Sequence, residues 1–202
     1  MPGPREEGLA DVLAAARACT VCAAHLPLGP RPVVRMAASA RLLIIGQAPG
    51  TKVHETGIPW NDASGRHLRQ WLQMEDAVFY DERRVAIMPM GFCYPGVQPR
   101  GGDKPPRKEC APLWHQRLLL QLPDVRLVLL VGQYAQRHYL MDAPPTMTET
   151  VRGFERYLPR FFPLPHPSWR STLWLRQHPW FASEVLPRLH EAVAAAMAED
   201  GT

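Results

Sequence analysis

The sequence predicts an α/β protein, a three-layer α/β/α sandwich built around a central, mostly parallel sheet of four strands. Short apolar runs alternate along the chain with segments whose apolar residues recur at helical spacing. The runs do not alternate polar and apolar residues, which is typical of parallel strands covered on both faces. At 202 residues the chain can bury one full core and shows no linker composition, so we expect a single domain over residues 1–202.

The first half of the chain provides two predicted helices and the first strand. Four apolar side chains share one face of a helix predicted over residues 8–18. After a proline-rich passage, Arg41–Ile45 is an apolar run ending at a glycine, the pattern of a buried strand. A second helix is predicted over residues 65–74, with Asp62 or Ser64 available as its N-cap.

The remaining strands and helices continue the same alternation. Val85–Met88, Val125–Val131 and Phe161–Leu164 are the other three predicted strands. The helices predicted beside them cover residues 113–122, 134–140 and 181–199. Because each strand is separated from the next by helical segments, the sheet is predicted to be mostly parallel.

Charge and hydropathy narrow the function classes only a little. Lysine and arginine number 23 against 19 acidic residues, giving a formal net charge of +4, which permits an anionic partner without requiring one. No apolar run is long enough to cross a bilayer, so no membrane association is expected. The N-terminus lacks the pattern of an export signal, and a cytoplasmic protein is therefore expected.

The four cysteines form one close and one wide pair, Cys19-x2-Cys22 and Cys93-x16-Cys110. A C-x-x-C pair can chelate a metal from one turn, and the wide pair can complete a four-thiolate site. Disulfides are not expected in a reducing cytosol. The spacing alone leaves two alternatives open, a metal centre or four separate packing cysteines.

Two polar loops follow predicted strands, which is where ligands bind in parallel α/β sheets. The first covers residues 46–62 and is rich in glycine and proline, and the second covers residues 165–170. The first loop has neither the spacing of a P-loop nor that of a dinucleotide fingerprint, so both are excluded.

The motifs in these loops resemble those of a known family. In the iron–sulfur branch of the uracil-DNA glycosylase superfamily, a Gly-acidic-Ala-Pro-Gly loop precedes Gly-x-Pro-Phe, and His-Pro-Ser follows later. The same register here gives Gly46–Gly50, then Gly57-x-Pro59-Trp60, and His166–Ser168. The cysteines also fall where the cluster ligands of that branch fall. The chain therefore resembles the bacterial and archaeal, family 4-like members over about residues 19–170.

The resemblance implies a role for each motif residue. His166 is the expected catalytic group that stabilises the departing base anion, with Gln47 and Glu55 as candidates to position or activate water. Trp60, at the Phe position of the motif, is expected to stack on the base. The other predicted substrate-binding residues are Ala48, Pro49, Gly50, Asn61 and Ser168. The predicted DNA-binding residues are Trp169, Arg170, Lys104 and Arg107.

The same resemblance implies a cofactor, a reaction and a partner. Cys19, Cys22, Cys93 and Cys110 are predicted to hold a [4Fe–4S] cluster, with structural zinc as the alternative. The expected activity is that of a monofunctional DNA glycosylase that hydrolyses the N-glycosidic bond of uracil or a related damaged base, starting base excision repair. The expected partner is single-stranded DNA, or a duplex with a flipped base, bound by a monomer.

Three departures from the family pattern keep other functions open. Gln47 stands where the family has an acid, Ala48 where some relatives have an aspartate, and Pro89 where relatives read uracil with an asparagine. A catalytically weakened protein that binds uracil or abasic DNA is therefore an alternative. A zinc-stapled nucleotide hydrolase is another, disfavoured because no catalytic metal spacing is present.

Overall fold

The computed structural model describes residues 7–168 and 171–198, and a parallel sheet lies at the centre of the part described. The strands are β1 (Leu42–Ile45), β2 (Val85–Ile87), β3 (Leu127–Val131) and β4 (Phe161–Leu164). Their order across the sheet is β2-β1-β3-β4, and each pair of neighbours is parallel. The predicted fold class is confirmed, and the three pairings between the strands of this sheet are all parallel, where the sequence predicted a mostly parallel sheet.

Helices surround this sheet. They are α1 (Leu9–Arg17), α2 (Thr51–Thr56), α3 (Ala63–Leu72), α4 (Asp76–Phe79), α5 (Gln116–Leu119), α6 (Gln133–Tyr139), α7 (Met147–Arg152), α8 (Ser171–Gln177) and α9 (Leu186–Met197). Two 3-10 turns, Ala23–His25 and Phe154–Tyr157, and two π turns, Ala111–His115 and Phe181–Val185, complete the helical structure of the described residues. Each helix there is too short or too polar to cross a membrane.

The sheet separates two apolar cores. On one face, Leu43 and Ile45 of β1 pack with residues of α1, α5 and the Ala111–His115 turn. On the other, Leu42 and Ile44 pack with residues of α3, α7 and α9. All four of these β1 side chains are fully buried, which is why the strand reads as a continuous apolar run.

Strand order creates a crevice beside β1. The chain passes from β1 to β2 on one side and then crosses to β3 on the other, so the loops after β1 and β3 diverge. Such a switch point leaves room for a ligand outside the carboxyl ends of the strands. Gly46 directly follows β1 and Gly132 directly follows β3, which brings the loop over residues 46–50 to this crevice.

Several helix boundaries differ from those predicted. The segments over 113–122 and 181–199 were predicted as uniform helices, yet each begins with a π turn, and a proline lies within or just after it, Pro112 and Pro187. Proline lacks an N–H, so Pro187 cannot make the ordinary α-helical bond to Ser183 inside the second π turn, whereas Pro112 lies in the first turn of its segment, where no such bond is needed. Helices α2, α4, α7 and α8 were not predicted; they span only 4 to 7 residues, too few for apolar periodicity to emerge.

Candidate functional site

A cavity of about 640 Å³ opens at the carboxyl end of the sheet, at the switch point beside β1. Its walls come from the loop after β1, the start of α3, the segment over 101–103 and the loop after β4. Backbone hydrogen bonds tie the first loop to the chain after β2: Met90 N–H donates to Gly46 (2.8 Å) and Gly91 N–H to Gln47 (3.0 Å). The cavity is therefore framed by loops anchored on strands rather than by free segments.

Trp60 is fixed in an unusual conformation on the cavity wall. Its φ angle is 56°, in the left-handed region that bulky residues rarely adopt. The strained turn is held by its carbonyl oxygen, which accepts hydrogen bonds from Arg69 (3.2 Å) and from the Tyr80 hydroxyl (3.3 Å). Arg69 is itself mostly buried and paired with Asp76 at 2.6 Å. Strain of this kind is typical of functional sites, where surrounding contacts enforce it.

Two glycines provide the space that Trp60 occupies. A Cβ on Gly46 would stand 2.7 Å from Cζ2 of the indole, so the ring lies directly against the backbone of the first loop. A Cβ on Gly65 would stand 1.7 Å from the Trp60 carbonyl oxygen, which only glycine avoids. Gly46 therefore makes room for the ring of Trp60, and Gly65 makes room for its backbone.

His166 lies beside Trp60 on the same wall. The two ring centroids are 5.7 Å apart with an angle of 34° between planes. The His166 carbonyl accepts from the Ser168 N–H (2.9 Å) and from the Ser171 hydroxyl, which fixes the turn after β4. Burial lowers the pKa of His166, and the negative charge of Asp62 opposes that effect. A neutral imidazole is therefore favoured, one that can donate a single N–H to an anion.

Asp62 lies in the site, although the sequence pattern predicted it only as a helix cap. Its Oδ1 does cap α3, accepting from the Gly65 N–H at 2.8 Å. It also lines the cavity, together with Asp103 and Ser64. A carboxylate beside the helix start is a common cap, so no sequence signal distinguished this one from a purely structural aspartate.

Gln47 lines the cavity with its side-chain amide already engaged. Its Nε2 donates to the backbone carbonyl of Lys104 at 3.2 Å. This hydrogen bond joins the loop after β1 to the basic segment between Cys93 and Cys110. Lys104 is exposed at the edge of a neighbouring surface groove, so its ammonium is available to a phosphate.

The predicted site residues divide into two groups. Those that line the cavity are Gln47, Ala48, Pro49, Gly50, Trp60, His166 and Ser168. Glu55 and Asn61 do not line it: Glu55 is exposed on α2, where its carbonyl accepts from Arg31 (2.8 Å). Asn61 is half-buried between two lining residues. Trp169 and Arg170 lie outside the described residues.

Pro89 lines the cavity, and a buried histidine supports it. The Pro89 carbonyl can only accept, so Nε2 of His115 carries the proton and donates to it at 3.1 Å. Nδ1 then accepts from the Tyr139 hydroxyl at 2.6 Å. Burial lowers the pKa of His115 to about 4, so this residue is a neutral structural support of the wall.

The four cysteines come together around a separate small cavity. Cys19, Cys22, Cys93 and Cys110 all line it, all are free thiols, and all but Cys19 are buried. Burial raises the pKa of the Cys93 and Cys110 thiols to about 11. Within residues 7–168 and 171–198, however, no group of three or more His, Cys, Asp or Glu side chains is arranged to hold a single metal ion.

Arg107 lies at the cysteine cavity, although its charge had suggested a DNA-facing surface. Its guanidinium pairs with Glu109 at 2.5 Å, while its Nε is buried without a hydrogen-bond partner among the described residues. The Trp114 indole N–H at the same cavity is also buried without a partner in the described chain. Two unpaired donors beside four thiols fit a group that carries sulfur acceptors.

The cavity thus combines an aromatic ring and a neutral histidine at the switch point of a parallel α/β/α fold. A model of the Uracil DNA glycosylase superfamily matches residues 34–190, more than half of the chain. The chain belongs to this superfamily.

Two solved structures are similar to this chain. The crystal structure of wild-type SMUG2 from Pedobacter heparinus is 14% identical, with 94% of this chain and 97% of that chain covered, at a TM-score of 0.46. The solution NMR structure of a candidate uracil DNA glycosylase from Methanosarcina acetivorans is 17% identical, with 78% of this chain and 93% of that chain covered, at a TM-score of 0.43.

Proposed function

We propose that this chain is a monofunctional DNA glycosylase that hydrolyses the N-glycosidic bond of uracil or a related damaged base. The observation that carries the proposal is the seating of Trp60 beside His166 in one cavity at the sheet's switch point. Membership of the superfamily supports the reaction class. The substrate is DNA, either single-stranded or a duplex from which the base is extruded.

Each of the two residues supplies a different interaction with the base. The half-buried indole of Trp60 offers a rigid face for stacking, an interaction worth about 1–3 kcal/mol per base. The His166 imidazole, neutral because of its burial, donates a hydrogen bond to the base oxygen as negative charge develops there. A neutral imidazole is suited to this role because its N–H group can stabilise the base anion by a hydrogen bond without transferring its proton.

Relatives read the uracil edge with an asparagine, and another donor or acceptor must do so here. The Pro89 carbonyl is engaged by His115, and besides His166 the uncharged polar side chains that line the cavity include those of Gln47, Ser64 and Ser168. Different hydrogen-bonding groups select different bases, so we propose a preference that extends to damaged bases other than uracil.

The test measures base excision from oligonucleotides that each contain a single test base, which is uracil, hypoxanthine, xanthine or, as a control, thymine. Breaks at the modified position after alkali treatment, lost in His166→Ala, are the expected result. His138→Ala is the matched control, because this histidine follows β3 on α6 and does not line the cavity. Breaks that persist in His166→Ala would remove His166 from the reaction.

A DNA-binding protein without catalysis is the second candidate function, favoured by one observation. Gln47, the residue after Gly46, has a neutral amide side chain whose N–H already donates to the backbone carbonyl of Lys104. It therefore supplies no carboxylate to the cavity. Tight, saturable binding of uracil-containing DNA with no release of base would support this alternative over the enzyme.

We propose further that the four cysteines hold a structural [4Fe–4S] cluster, as in the iron–sulfur branch of the superfamily. An all-thiolate donor set suits either iron–sulfur or zinc. Tetrahedral zinc requires sulfurs about 3.8 Å apart, whereas a cluster spreads its four ligands over separate irons. The four thiols that line one cavity, together with the two unpaired donors of residues beside them, support the cluster. A cluster bound there would connect the segment just after α1, through Cys19 and Cys22, to the segment between Cys93 and Cys110.

Anaerobic purification followed by metal and sulfide analysis tests the cofactor. Roughly four iron atoms and four acid-labile sulfides per chain are expected from the formula of the cluster. Trp114→Phe keeps an aromatic ring and removes one donor, so a more negative reduction potential is expected. Trp71→Phe is the control, because Trp71 packs against the core on the other face of the sheet and does not line the cysteine cavity. A colourless protein loaded with zinc would contradict the proposal.

A further inference from the structure

The two carboxylate oxygens of Asp62 face different parts of the structure. Oδ1 is committed to the first turn of α3 through the Gly65 N–H at 2.8 Å. Oδ2 turns the other way and lies 3.9 Å from the point where a Cβ on Gly50 would stand, so it faces the first loop of the cavity. The cap fixes the orientation of the carboxylate, and the cavity receives its second oxygen.

The charge of Asp62 acts inside the site. Its side chain lines the same cavity as His166, and its charge opposes the effect of burial on the pKa of that histidine. Among the residues that line the cavity within the described chain, only Asp62 and Asp103 carry carboxylates. Asp103 approaches the same point near Gly50 at 3.8 Å, from the segment between Cys93 and Cys110.

Resting on the glycosylase function proposed above, we infer that Asp62 is the carboxylate that orients and deprotonates the attacking water. Gln47 is neutral and its amide N–H group is bound to Lys104, while Glu55 is exposed outside the cavity. Asp62 is preferred to Asp103 because it is held by a helix cap and because its charge reaches His166. The two motif positions at which the family carries an acid are occupied here by Gln47 and Ala48, so Asp62 lies at a different position.

The proposed hydrolysis requires only a water molecule, Asp62, His166 and proton exchange with solvent. The bond between C1′ and the base nitrogen breaks, and its electron pair passes to the base, whose anion accepts the His166 hydrogen bond. The water oxygen forms the new bond to C1′, and one water proton passes to Oδ2 of Asp62. That proton then returns to solvent, and the base is protonated on release, leaving an abasic sugar and a free base.

The deciding variant is Asp62→Asn. Asparagine caps helices as well as aspartate does, so the fold and the seating of Trp60 are expected to remain. The single-turnover rate of base excision is expected to fall about 10²- to 10⁴-fold. Binding to an oligonucleotide with 2′-fluoro-deoxyuridine, which resists cleavage, should change less than about threefold, because the carboxylate acts on water rather than on the base. Asp62→Ser, another strong cap, provides a second variant without a carboxylate.

The control is Asp142→Asn, which removes the same charge from an exposed ion pair with Arg156 and should leave the rate unchanged. Excision by Asp62→Asn within threefold of the parent rate would overturn the assignment and leave the glycosylase function intact. A large loss in Asp103→Asn instead would move the role to Asp103. A parent protein that releases none of the tested bases would overturn both the glycosylase proposal and the role of Asp62.

Discussion

The indole of Trp60 and the imidazole of His166 lie side by side on one cavity wall, their ring centroids 5.7 Å apart. One ring comes from the turn before α3 and the other from the loop after β4, so the pair exists only when the sheet is assembled. An apolar face and a polar donor are thereby within reach of a single base.

Replacing Trp60 with alanine is expected to weaken binding of a modified base and to slow its excision. Loss of one stacking face costs about 1–3 kcal/mol, roughly 5- to 150-fold in affinity. Fluorescence anisotropy with the cleavage-resistant oligonucleotide measures the loss. Trp60→Phe retains a face and should recover most of the affinity; equal binding by the alanine variant would exclude Trp60 from the base site.

The His166 imidazole is expected to titrate below its ordinary value of 6.5, because burial lowers its pKa. The charge of Asp62 raises that pKa in part, so Asp62→Asn should move the midpoint further down. NMR of the imidazole signals against pH provides the measurement. A midpoint at or above 6.5 in the parent would show that the histidine is not the neutral donor required.

Gly65→Ala is expected to destabilise the fold and impair excision together. The added methyl would meet the Trp60 carbonyl oxygen at 1.7 Å, a backbone atom that cannot turn aside. A loss of about 1–3 kcal/mol in unfolding free energy is typical of such overpacking. Gly153→Ala is the matched control, since its Cβ would meet atoms only at 3.4 Å or beyond. Similar urea midpoints for the two variants would contradict the close approach described here.

Acid is expected to destabilise the protein through His115. Its folded pKa of about 4 lies below the ordinary 6.5, so the unfolded chain binds more protons between these values and stability falls as pH drops. Between pH 7 and pH 4.5 the loss is about 2–3 kcal/mol. Urea unfolding at both pH values measures it, and His115→Gln should reduce the difference. An unchanged pH dependence in that variant would assign the effect to other groups.

The sequence predicted the fold because each strand is buried on both faces. β1, β3 and β4 appear in the sequence as continuous apolar runs, and their parallel order follows from the helices between them. Helix α2 was missed because its six residues follow a proline–glycine pair and end at a glycine with φ of 72°, composition that predicts a loop.

The site was predictable where a motif fixed it and unpredictable where tertiary contacts did. Trp60 and His166 came from the motifs, and both line the cavity. The second role of Asp62 depends on where Oδ2 points, which no local pattern encodes. Arg107 was grouped with surface charges by its neighbours in sequence, but the fold turns it towards the cysteines. Its contacts join residues far apart in the chain, so charge patterning alone could not reveal them.

The most direct test of the account is to measure the free base and abasic sites that the parent produces from uracil-containing single-stranded DNA in a single turnover. Mass spectrometry of the released base and an aldehyde-reactive probe provide the two quantities. We predict equal amounts of free uracil and abasic sites, an unbroken strand before alkali treatment, and a fall of about 10²- to 10³-fold in His166→Ala. Stable complexes with no free base from any of the modified oligonucleotides would contradict the central claim that this cavity cleaves a glycosidic bond.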